Sequence, residues 1–190
     1  MAVKEDKIIT IIKHTTIIRT VPLWLEKIRF KPDMGVSALL MEIADLEKGV
    51  ILLTGDAKKL ARAYMKAWLS QGKTFLAERL PFGIDEFGEN VFIGSPYEGV
   101  TFDGYIIVNP LSRSKNERAR LYSWIKENRG RIILLYETKY VKDSITRYGI
   151  KEFIDYLVAY KRETAGFERV DIYKMEDGKV VKKKSYIRRI

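Results

Sequence analysis

The chain has no cysteine and a single histidine, His14, among its 190 residues. The first absence excludes disulfides, thiol nucleophiles and cysteine-ligated zinc or iron–sulfur centres. The second excludes any site that needs two imidazoles, so His14 reads as a surface or half-buried residue. No apolar run reaches the ~18 residues of a membrane span, and no membrane partner is expected. The opening residues, MAVKEDKIITIIKH, mix acids with lysines and offer no small-residue cleavage site. No secretory leader is therefore expected, and the cytoplasm is the expected location. The phosphate-loop consensus GxxxxGK[ST] is missing as well. Counted from Gly55, its closing positions fall on Leu60, Ala61 and Arg62. Gly72–Lys73–Thr74 spells the last three letters, but Ala67 holds the place of the first glycine and the triplet follows a helix-forming stretch.

What is present begins with charge. Charged residues make up 32% of the chain, and glutamine occurs once. That is a composition expected of a heat-adapted protein. The net charge of +10 is unevenly placed. Residues 1–100 hold 14 Lys/Arg against 13 Asp/Glu, whereas residues 101–190 hold 21 against 12. A balance so concentrated in one half points to a polyanionic partner for one face of the fold. A lysine-rich surface serving solubility is the plainer account of the same numbers.

The length suits a single domain over 1–190, read as an N-terminal extension over 1–34 and a core over 35–190. The most informative stretch is TFDGYIIVNPLSRSK, residues 101–115. Its apolar run Tyr105–Val108 does not alternate, as expected of a strand covered on both faces, and Pro110 ends it. VILLTG (50–55) and RIILLYE (131–137) read the same way, and KTFLAERL (73–80) and NVFIG (90–94) as further strands. Helices are expected over 33–48, with Asp33 as N-cap and Gly49 as C-cap, and over 56–72, with Asp56 as N-cap and Gly72 as C-cap. A third is expected from Ser114 to Asn128, closed by Gly130. A fourth is expected near 150–158, where Ile150, Phe153, Ile154, Leu157 and Val158 share a helical stripe, with Gly166 ending it. PFGIDEFGEN reads as a loop. The tail alternates about Asp177–Gly178, an antiparallel hairpin at the sheet edge. The fold class is therefore α/β, a mostly parallel sheet with helices on both faces and a C-terminal antiparallel hairpin.

The succession ILLTGDAKK, SQGKTFLAE, FDGYIIVNPLSR, RIILLYETK and a terminal hairpin resembles the RecA-like ATPases, in their KaiC and RadA-paralogue branch. The resemblance implies that Asn109 stands where the family has its magnesium-directing aspartate. An amide is a weaker ligand for a hard cation than a carboxylate. With both diagnostic motifs degraded, it implies a member without ATP hydrolysis, catalytic residues, metal or cofactor. Weak residual anion binding at Gly55, Lys58 and Lys59 is the remaining expectation for the nucleotide site. The resemblance also implies that the two loops downstream face a DNA channel. The first carries Arg113, Lys115, Arg118 and Arg120. The second carries Lys139, Lys142 and Arg147, with Tyr140 and Tyr148 interleaved.

Basic side chains track phosphates and aromatic rings stack on unpaired bases, so single-stranded or branched DNA is the expected partner, with a protein partner beside it. The tail adds Lys182, Lys183, Lys184, Arg188 and Arg189, which also deter edge-to-edge aggregation. The expected role is a non-hydrolysing accessory of recombination, repair or replication. One alternative is a protein-binding scaffold or regulatory subunit. Another is a metal-dependent nuclease using Asp103 with Glu137 and Lys139, after the D…ExK pattern.

Overall fold

The computed structural model describes residues 34–79, 90–163 and 166–189. The N-terminal stretch that holds His14 and Asp33, and the loop PFGIDEFGEN up to Glu89, lie outside the described residues. The elements in chain order are α1 (Met34–Ala44), β1 (Gly49–Thr54), α2 (Lys58–Ser70), β2 (Phe75–Ala77), β3 (Val91–Ile93), β4 (Gly104–Val108) and α3 (Lys115–Glu127). They continue with β5 (Ile132–Glu137), a 3₁₀ helix over Lys142–Tyr148, β6 (Tyr156–Glu163), β7 (Phe167–Glu176) and β8 (Lys179–Arg189).

All eight strands join one sheet in the order β3-β2-β4-β5-β1-β6-β7-β8. From β3 to β6 every neighbouring pair is parallel, and β7 and β8 close the sheet antiparallel. The three apolar runs read as doubly covered strands lie at its centre, and every residue of β1, β4 and β5 is buried. One face, including Ile51, Leu53, Ile106, Leu134 and Val158, packs under α1 and α2. Tyr64, Trp68 and Phe75 stack there at centroid distances of 5.7 and 5.6 Å. The other face, including Leu52, Ile107 and Leu135, packs against Leu121, Trp124 and Ile125 of α3 and Ile145 of the 3₁₀ helix. Helices thus cover both faces, as the unalternating runs require.

Helix α3 begins where expected. Ser114 caps it, accepting from the Glu117 N–H while the Glu117 carboxylate accepts from the Ser114 N–H. Its C-cap is Asn128, not Gly130. Helix α1 ends at Ala44, and Gly49 opens β1 instead of closing the helix. The N-cap of α2 is Ala57, not Asp56, and it contributes no side-chain hydrogen bond. The C-cap is Gln71, with Gly72 next in the left-handed region.

The largest correction concerns 150–163. The helix expected there is absent; a 3₁₀ turn ends at Gly149 and the chain then extends as β6. Tyr156 and Val158 face α1 and α2, while Leu157 faces the opposite layer, which is the period of a strand. Backbone pairing with β1 on one side and β7 on the other satisfies the hydrogen-bonding groups of 156–159 at the sheet interior, with β7 pairing 160–163 as well, and that outweighs the helical stripe. Gly166 consequently lies in the turn between β6 and β7.

Candidate functional site

Register brings the carboxyl ends of the parallel strands to one rim. Thr54 at the end of β1 lies beside Glu137 of β5 and Ala159 of β6, and Val108 of β4 lies beside Tyr136. The turn after β1, the loop after β4 and the loop after β5 therefore meet there.

Gly55 makes the turn after β1 at a φ of 86°. Its N–H donates to the carbonyls of Glu137 (3.0 Å) and Lys139 (3.2 Å), so the amide that a phosphate loop would turn toward its ligand is held by β5. A Cβ at this position would sit 1.9 Å from the Tyr160 carbonyl oxygen, so close backbone approach is what requires glycine. Lys58 and Lys59 follow, exposed in a first helical turn that contains no acid.

Asn109 ends β4 in the left-handed region, φ 51°, a conformation asparagine tolerates better than most residues. Its N–H donates to the Tyr136 carbonyl at 2.7 Å. Its Oδ1 accepts from the Thr138 N–H (3.1 Å) and hydroxyl (2.9 Å). At the position the resemblance assigns to a metal-directing carboxylate, the side chain instead clamps two loops together.

Below it lies Glu137, a fully buried carboxylate. It accepts from the Leu111 N–H at 3.0 Å, the Ser112 hydroxyl at 3.3 Å and the Lys139 N–H at 3.4 Å. One carboxylate thus fixes the loop after β4 and the loop after β5.

The basic residues named from the sequence fall into distinct groups. Arg113 forms an ion pair with Glu78, and both side chains are mostly covered, at 18% and 21% exposure. Burial raises the neighbouring Tyr97 hydroxyl above the usual phenol range, with the Arg113 charge opposing. Arg118 donates to the carbonyls of Leu111 and Arg113 and lies 5.6 Å from the Tyr148 ring centroid. Arg120 covers Tyr97 at 4.3 Å. These three arginines are engaged in holding the loop and α3. By contrast Lys115, Lys139 and Arg147 are exposed. The Lys142 side chain lies outside the described residues, although its backbone opens the 3₁₀ helix. Tyr140 carries the Lys161 ammonium 5.7 Å from its ring, and both Tyr140 and Tyr148 are half-buried, which limits them as stacking platforms.

The tail is split by its length. Arg189 pairs with Phe167, which pairs with Glu163 at the carboxyl rim, though the Arg188 and Arg189 side chains lie outside the described ones. Lys182 pairs with Lys174, which pairs with Tyr156 at the opposite end of β6. Lys182, Lys183 and Lys184 therefore run away from the rim along the sheet edge.

Asp103 is not part of this site. It precedes β4, so Glu137 at the far end of β5 is roughly 20 Å away along the strands. Its carboxylate accepts from the Thr74 N–H and hydroxyl, both at 2.8 Å, which holds its pKa below the ordinary value. No cation can bridge Asp103 and Glu137, and the nuclease alternative is set aside on that distance. Lys73 of the Gly72–Lys73–Thr74 triplet is at the same far end, 2.9 Å from Glu47. Among the described residues no group of three or more His, Asp or Glu is placed to hold a metal ion. No helix of the described residues is long and apolar enough to cross a membrane.

Sequence reading missed two organising features, a capping box and a buried acceptor. The Ser114–Glu117 capping box was legible as S-x-x-E before an apolar stripe. Nothing in the sequence marks Glu137 as a buried acceptor, because the strand residue before it is apolar and the one after it polar.

Strand order and the turn–helix placement after β1 are those of an α/β fold with a mostly parallel sheet. No family model and no curated protein sequence matches the chain. Among solved structures, the N-terminal domain of zonular occludens toxin from Neisseria meningitidis aligns at 13% identity and a TM-score of 0.43. The alignment covers 75% of this chain and 94% of that domain.

Proposed function

We propose that the protein binds a nucleic-acid backbone, single-stranded or branched DNA, along its carboxyl rim, as an accessory of recombination, repair or replication that does not hydrolyse ATP. Kinship with the RecA-like ATPases is part of this proposal. One observation carries it: Lys58, Lys59 and Lys115 occupy first helical turns, with Lys139 and Arg147 exposed on the adjoining segments. The start of a helix is its positive end, and cations there are repelled by about 0.3–1 kcal/mol each. Lys58 and Lys59, in a first turn that holds no acid, are a small standing cost that a bound polyanion relieves, while Lys115 shares its first turn with Glu117. The engaged Gly55 amide supports the absence of hydrolysis.

The test is fluorescence anisotropy with labelled oligothymidine. Five phosphate contacts give a slope of about −3.5 in log affinity against log salt, hence roughly a 100-fold loss over a fourfold rise in salt. Replacing Lys58 and Lys59 with glutamate weakens binding further and flattens the slope. Lys139→Glu with Lys142→Glu acts in the same direction. Binding that ignores salt, or no binding, overturns the proposal.

A further inference from the structure

The two edges of the sheet are unequal. Strand β3 closes one side with 3 residues and β8 closes the other with 11, and among the described residues no strand pairs with the outer side of β8. Sheet edges are ordinarily kept short or covered because their outward N–H and C=O groups recruit other strands. Alternate residues of an antiparallel edge turn those groups outward, so β8 offers about five such residues. Its composition is one-sided: Lys179, Lys182, Lys183, Lys184, Arg188 and Arg189, with no acid. Among them Val180, Val181 and Ile187 stand 47%, 51% and 56% exposed.

The lysines are divided between the two faces of the sheet. Lys184 pairs with Ile172, whose side chain lies in the layer under α1 and α2. Lys183 pairs with Tyr173 of the opposite layer, its Nζ 5.6 Å from that ring. A phosphate backbone laid on one face meets only part of this set. A strand added in the sheet plane meets all of it, because its own side chains alternate in step. Charge also narrows the occupant. A second copy of β8 sets cations against cations, and residues 1–33 of this chain carry 7 Lys/Arg to 4 Asp/Glu. Like charges on facing strands repel.

We infer that the outer edge of β8 docks an acidic, extended segment of a partner protein as a ninth strand. Its carboxylates face the lysines on both sides of the sheet, and its apolar side chains meet Val180 and Ile187. Main-chain hydrogen bonds supply affinity and the alternating side chains supply selectivity.

The probe is a fluorescein-labelled peptide of about ten residues, matched to the strand length, with adjacent glutamates that send carboxylates to both faces and valines opposite Val180 and Ile187; it is titrated against the full chain. Three comparators accompany it: the same peptide with lysine in place of each glutamate, the acidic peptide with alternate amides N-methylated along either edge, and oligothymidine as competitor. The acidic peptide binds; the lysine peptide and the versions methylated on the pairing edge bind at least about tenfold more weakly. Lys182→Glu with Lys184→Glu produces a comparable loss at unchanged circular dichroism. Absence of binding overturns the inference and leaves the lysines as guards against aggregation. Equal affinity for the methylated peptides overturns it by reducing the contact to bare electrostatics. Displacement by oligothymidine whose own affinity falls with the same two substitutions assigns the edge to nucleic acid instead.

Discussion

Glu137→Ala is the substitution that most directly examines how the rim is built. The wild-type carboxylate is fully buried and takes three hydrogen bonds from two different loops. Leu111, at 3% exposure, cannot turn its N–H to water, so loss of its acceptor costs about 1–3 kcal/mol. Ser112 and Lys139 are exposed and can be solvated, so each bond lost there costs about 0.5–1 kcal/mol. The expected destabilisation is about 2–5 kcal/mol. Glu137→Gln behaves differently. Its carbonyl keeps the Leu111 bond and its amide donates to the Ser112 hydroxyl oxygen, while the long 3.4 Å bond from Lys139 is lost. The cost then falls to about 1 kcal/mol. Urea unfolding followed by tryptophan fluorescence measures both. Amide hydrogen exchange supplies the local readout: exchange over 109–113 and 138–141 accelerates in the alanine variant before that of β1 and β4. An alanine variant within about 0.5 kcal/mol of wild type, or a glutamine variant equal to it, refutes this account of the rim.

Three further outcomes are expected. Gly55→Ala forces a Cβ against the Tyr160 carbonyl at a positive φ, and a loss of at least about 3 kcal/mol should appear as a lowered melting temperature. Asn109→Asp keeps both bonds accepted from Thr138 and stays within about 0.5 kcal/mol of wild type, whereas Asn109→Ala loses about 1–2 kcal/mol in the same urea assay. Burial pushes the Glu42 carboxyl up, but hydrogen bonds from Lys174 (2.5 Å) and Tyr156 (2.7 Å), with the Lys174 and Lys182 charges, carry it below its ordinary value of 4.5. A folded-state pKa that is depressed contributes stability above the unfolded value and loses it as pH falls through the folded one. The stability gap between wild type and Glu42→Gln should therefore hold at neutral pH and close below pH 4.5. A gap that widens on acidification contradicts the assignment.

What was legible in the chain was whatever a local pattern determines. Apolar runs without alternation marked β1, β4 and β5, since a strand covered on both faces has no position for a polar residue. The C-terminal hairpin followed from alternation about Asp177–Gly178, a turn whose positive-φ residues the structure confirms. Residues 150–163 could not be decided locally. Ile150, Phe153, Ile154, Leu157 and Val158 fit a helical stripe, while 156–160 also fit a strand, and only the neighbouring edges of β1 and β7 select between them.

The same division runs through the candidate site. Composition placed basic residues in the loops after β4 and β5, and those loops do share a rim. Which cations remain exposed there was decided by folding: Glu78, just after the neighbouring strand β2 and 35 residues away in sequence, pairs with Arg113, and two loop carbonyls claim Arg118, while among the described residues Lys115 and Lys139 meet no such neighbour. Asp103 and Glu137 look like partners in the sequence, yet parallel register sends them to opposite ends of adjacent strands. Local periodicity follows from the covalent geometry of a few consecutive residues. The availability of a charge depends on groups far away in sequence, and only the tertiary structure brings those together.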